Sequence, residues 1–78
     1  MLTQEQVIQS IGIAIEDPNF SIDSTIENTE NWDSLGVLSL VSVLAKMTAG
    51  ATDTIPEFLN VSSAVKLIEI LKENNLLA

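Results

Sequence analysis

From Leu35 to Met47 the chain is apolar at almost every position, and its polar residues there, Ser39, Ser42 and Lys46, fall at i, i+3 and i+7 on one helical stripe. A helix apolar around most of its circumference has to be buried. The expectation is a central helix with one narrow face open to solvent or to a partner, wrapped by the rest of a 78-residue chain. Asp33, a strong N-cap type, marks its start, and the pattern runs to about Met47, where Lys46 complements the helix dipole. Trp32, just before the cap, is placed to pack on Val37 as a hydrophobic staple.

Two amphipathic segments flank this helix. The first begins at Thr3, with Val7, Ile8, Ile11, Ala14 and Ile15 on one face and Gln4, Glu5 and Gln9 elsewhere; Thr3 and Gln6 have the spacing of a capping box. Ile13 lies roughly opposite Ile11 and is left facing outward. The last helix is capped by Ser62 or Ser63, turns Ala64, Leu67, Ile68 and Leu71 inward and Lys66, Glu69 and Glu73 outward, and frays at Asn74-Asn75. Residues 48–54 are small and polar and read as a loop. Ile55-Pro56 opens a short helical turn containing Glu57, Phe58 and Leu59. No strand pattern competes. The fold class expected is all-α, a small bundle of three main helices plus one short helix, with a long loop between helices 1 and 2, in one domain spanning residues 1–78.

That long loop covers residues 16–32, opens on the turn signal Asp17-Pro18-Asn19, and exceeds the length usual for structureless connections. Phe20, Ile22, Ile26 and Trp32 are expected to pin it to the core. With Asp33 it carries six of the eleven acidic residues: Glu16, Asp17, Asp23, Glu27, Glu30 and Asp33. Asp17, Asn19, Ser21 and Asp23 do not make a calcium loop, because Ile22 stands where the tight turn needs Gly and Asn28 where a bidentate Glu is required.

Composition narrows the chemistry. There is no His, Cys, Tyr or Arg, hence no imidazole base, thiol nucleophile, phenolic acid or guanidinium clamp, and an enzyme is not expected. Three lysines against eleven acids give a formal charge of −8, which repels nucleic acid and anionic membranes and favours basic partners. No apolar run approaches the roughly 20 residues of a membrane span, and no basic leader opens the chain, so the cytoplasm is the expected compartment; a monomer is expected as well.

Ser34 falls in the first turn of the central helix, where backbone N–H groups point outward and the dipole contributes about half a positive charge. A phosphate esterified to its hydroxyl would sit in a favourable field. Without a base in the chain, the serine would be modified by a second protein.

In Trp32-Asp33-Ser34-Leu35-Gly36, in the acidic loop before it, and in Ile55-Pro56 before a short third helix, the chain resembles the acyl carrier proteins and related peptidyl carrier domains, whose signature Asp-Ser-Leu opens the second helix. The resemblance covers essentially the whole chain. It implies that Ser34 receives 4′-phosphopantetheine from coenzyme A through a Mg²⁺-dependent phosphopantetheinyl transferase, that Asp33 assists the transferase, and that the arm's thiol carries acyl or aminoacyl groups as thioesters between biosynthetic enzymes. It also implies docking on basic surfaces of the transferase and of loading and consuming enzymes, in fatty-acid, polyketide or nonribosomal peptide biosynthesis. Carriers of the fatty-acid type have acids along the exposed stripe of the second helix; here that stripe is Gly36, Ser39, Ser42 and Lys46. Attraction is therefore expected to come from Glu27, Glu30 and Asp33, with a smaller, more apolar contact through Leu35, Gly36, Ser39 and Ser42. The alternative is a carrier-fold interaction module that presents this helix to a protein partner and bears no prosthetic group.

Overall fold

The computed structural model describes residues 2–77. Three α-helices, α1 (Gln4–Ala14), α2 (Ser34–Met47) and α3 (Ala64–Glu73), account for its regular structure, together with two single 3-10 turns, Ala51–Thr54 and Pro56–Leu59, between α2 and α3. Among the described residues there is no strand, only two isolated bridges. The fold is thus all-α. The stretch read as a plain loop at residues 48–54 folds instead into the first 3-10 turn, because Thr48 Oγ1 accepts from Thr52 N–H (3.3 Å) and draws the chain into a tight coil.

Each helix starts at a side-chain cap. Thr3 Oγ1 accepts from Gln6 N–H (3.2 Å) while Gln6 Oε1 accepts from Thr3 N–H (2.9 Å), a reciprocal capping box. Asp33 Oδ1 accepts from Gly36 N–H (2.9 Å), and Ser63, not Ser62, caps α3 by accepting from Lys66 N–H (3.2 Å). The ends share a second device. Glu16, Ala49 and Asn75 have φ of 58°, 53° and 57°, and after each the chain folds back on its helix: Asp17 N–H donates to Gly12 O, Gly50 N–H to Ala45 O and Leu76 N–H to Leu71 O, at 2.8, 2.8 and 2.9 Å. All three helices therefore stop in a left-handed residue of the Schellman type, and in none is that residue glycine.

The core gathers Val7, Ile11 and Ile15 of α1, Leu40 and Leu44 of α2, and Leu67, Ile68, Ile70 and Leu71 of α3, joined by Phe20 and Trp32 from the loop and by Phe58. α2 is less central than its composition predicts. It buries Gly36, Leu40 and Leu44, whereas Leu35 and Leu38 are 74% and 62% exposed. α1 and the two 3-10 turns pack on α2 and cover the face of Gly36, Leu40 and Leu44, while the face of Leu35, Leu38, Ser42 and Lys46 stays exposed.

The long loop is held by hydrogen bonds as much as by side chains. Ile26 N–H donates to Ser62 O (3.0 Å) and Ala64 N–H to Ser24 O (2.9 Å), stitching the loop to the start of α3. Phe20 and Trp32 are buried with ring centroids 5.6 Å apart, and Ile22 packs partly on the core. Ile26, expected as a fourth pin, is 47% exposed; its backbone, not its side chain, is what anchors that point. The Trp32 indole N–H is buried without a partner among the described residues, a penalty of about 1–3 kcal/mol that burial of the large ring offsets.

Candidate functional site

The loop reaches α2 through a close backbone crossing. A Cβ placed on Gly36 would collide with the Asn31 carbonyl oxygen, so the first turn of α2 lies directly against the end of the loop, and a glycine is needed there. Asn31 Nδ2 in turn donates to Glu16 O (3.3 Å), tying the loop's exit to the end of α1. Gly36, expected among the partner-facing residues, is buried in this crossing and belongs to the scaffold.

This crossing sets the register of the residues before it. Asp33 is the N-cap, its carboxylate engaged by Gly36 N–H, and Ser34 is the first helical residue. Ser34 is exposed. The N–H groups of Ser34 and Leu35 find no acceptor among the described residues, as the start of a helix requires. A hydroxyl in this position can carry a phosphate ester: the two free N–H groups and the positive end of the helix dipole favour the anion, against the neighbouring Asp33 carboxylate, which Gly36 N–H engages.

From this end an exposed strip runs down the helix. Leu38 and Ser42 follow Ser34 at i+4 and i+8, and Ser39, Ser42 and Lys46 follow Leu35 at i+4, i+7 and i+11. Leu38, Ser39, Ser42 and Lys46 line a shallow concavity of about 410 Å³ against Ala14 of α1. Leu35, Ser39 and Ser42 thus share one surface, with Ser39 half-buried. Leu38 belongs to it too, although the apolar pattern alone assigns it inward; its i+4 relation to Ser34 was the available signal.

The acidic loop residues are placed differently. Glu27 and Glu30 are exposed, and Glu30 borders a polar hollow of about 500 Å³ with Glu16, Asp17 and Asp23. Glu27 is not part of that hollow. Neither glutamate takes part in an ion pair among the described residues, where Lys66–Glu69 on α3 (3.7 Å) is the one bridge. No helix among the described residues is long and apolar enough to cross a membrane.

No protein-family model, curated protein or solved structure matches the chain.

Proposed function

We propose that the chain is an acyl or aminoacyl carrier protein with an acyl-carrier-like helical bundle, modified on Ser34 with 4′-phosphopantetheine. The observation that carries this reading is the exposed Ser34 hydroxyl at the first position of an Asp-capped helix, with free N–H groups beside it. Those residues fit the group: the Ser34 hydroxyl can take the phosphopantetheinyl group as a phosphodiester, its proton lost and the adenosine bisphosphate part of coenzyme A leaving, the amides of Ser34 and Leu35 face an anion, and Asp33 is held at the cap, where it fixes the first turn. The arm supplies a terminal thiol for thioester attachment, which a chain without cysteine cannot supply itself. Gly36 keeps the loop pressed on the helix, and Leu35, Leu38, Ser39 and Ser42 offer an apolar-to-neutral contact surface.

In this reading the domain is a substrate of enzymes and not itself an enzyme. Its partners are a phosphopantetheinyl transferase and the enzymes that load and consume the carried group. With a formal charge of −8 and exposed Glu27 and Glu30, it is drawn to basic docking surfaces, not to nucleic acid or membranes, and acts as a cytoplasmic monomer. Incubating the purified protein with coenzyme A, Mg²⁺ and a broad-specificity transferase should raise its intact mass by one arm. An unchanged mass, with a control carrier fully modified in the same tube, removes the proposal.

A second reading draws on the exposure of Leu35 and Leu38: the domain presents α2 to a protein partner and bears no arm. In that case Ser34→Ala leaves partner binding intact, while Ser39→Glu or Ser42→Glu weakens it.

A further inference from the structure

Between α1 and the start of the long loop lies a second surface that neither reading uses. An open groove of about 740 Å³ runs along some three turns of α1, with residues 17–22 of the loop as its other wall. Ile8, Ile13, Phe20 and Ile22 are its aliphatic and aromatic lining, from buried Phe20 to Ile13, which is 73% exposed. Glu5, Glu16 and Asp17 stand on its rim. No lysine lines it; Lys46, Lys66 and Lys72 are on α2 and α3, and none of the three rim carboxylates has an ion-pair partner among the described residues.

The groove is built in advance of any occupant. Asp17 N–H donates to Gly12 O (2.8 Å), and a Cβ at Gly12 would press on Asp17 O (3.0 Å) and Phe20 Cβ (3.2 Å), so the loop wall lies close against the helix wall at a position that glycine suits. Little ordering remains to be done on binding. Glu5 and Glu16 are eleven residues apart in sequence, about 16 Å at helical rise, with isoleucines between them. The complementary surface is an aliphatic stripe with a cation at either end, which is the face of a basic amphipathic helix.

We propose that this groove is a docking site for a cationic amphipathic helix of a partner protein. A second copy of the chain brings eight further negative charges and is repelled, and so is an anionic membrane. No residue of α2 lines the groove, so the site is separate from the Ser34 end of the molecule and the inference stands whether or not Ser34 is modified.

The test uses a fluorescein-labelled helical peptide of leucine and lysine, about 14 residues long to match the groove, titrated into the intact protein by anisotropy and mapped by amide chemical shifts. Saturable binding is expected, with shifts concentrated in residues 5–22. Ile13→Ser, which alters an exposed side chain and spares the fold, should weaken binding about tenfold, and so should the pair Glu5→Gln and Glu16→Gln. The charge variant should also flatten the dependence on salt. Val65→Ser on α3 should change nothing. Equal binding by an isomer with its leucines scattered around the helix, shifts centred on α2 or α3, undiminished affinity in Ile13→Ser, or no binding would each overturn the proposal.

Discussion

α2 and α3 invert the usual relation between hydrophobicity and burial. α3 is the more polar helix, yet it buries Ala64, Leu67, Ile68, Ile70 and Leu71 and turns its charges outward, as an amphipathic helix on a core should. α2 is far more apolar, yet only Gly36, Leu40 and Leu44 are buried and two leucines stand in solvent next to Ser34. α3 is explained by stability alone. Val37, Val41, Val43 and Met47 still pack partly on the core, but Leu35 and Leu38 do not, and in the proposed reading these two serve as a contact surface for a partner.

The largest effects expected are in the buried positions of both helices. Leu71→Ala in α3 and Leu44→Ala in α2 should each cost about 2–5 kcal/mol in urea unfolding, since both side chains are fully buried. A Leu44→Ala penalty below about 1 kcal/mol would mean that α2 is not anchored where described. Next comes the loop crossing: Gly36→Ala should cost about 1–3 kcal/mol, because the new methyl group displaces the Asn31 backbone. It should also slow modification of Ser34. A neutral Gly36→Ala would remove the crossing from the account.

The two caps sharpen the contrast. Asp33→Ala and Ser63→Ala remove equivalent bonds and should each cost about 1 kcal/mol, but only the first should slow modification of Ser34. Equal slowing would trace the effect to general stability. At the helix ends, Ala49→Gly should stabilise the protein by about 0.5–1 kcal/mol by relieving a left-handed alanine after α2, while Asn75→Gly after α3 should gain less, because asparagine tolerates that conformation. The smallest stability effects belong to Leu35→Ala and Leu38→Ala, within about 0.5 kcal/mol by thermal melting, despite the size of the side chains removed. If either melts like Leu44→Ala, the two faces of α2 do not differ as described.

The helix starts were readable because capping is local: Thr3 with Gln6, and Asp33, each act within one turn. The inward face of α3 followed from periodicity in the same way. The stops were less legible, since Glu16 and Ala49 are poor choices for a left-handed residue and hold it only because the folded chain imposes it. The burial of Gly36 depends on where the loop crosses, a tertiary event that no window of sequence contains. The exposure of Leu38 is hidden in the sequence for a related reason. Apolar pattern says which residues prefer burial but not whether the rest of a short chain has enough surface to cover them.

The most direct test of the central claim is to locate the attached group. After transferase treatment with coenzyme A, peptide mapping by tandem mass spectrometry should place one phosphopantetheinyl group on Ser34 and leave Ser39, Ser42 and every other serine bare, with Ser34→Ala remaining unmodified. Attachment at another serine, or none on a folded protein beside a fully modified control, would contradict it.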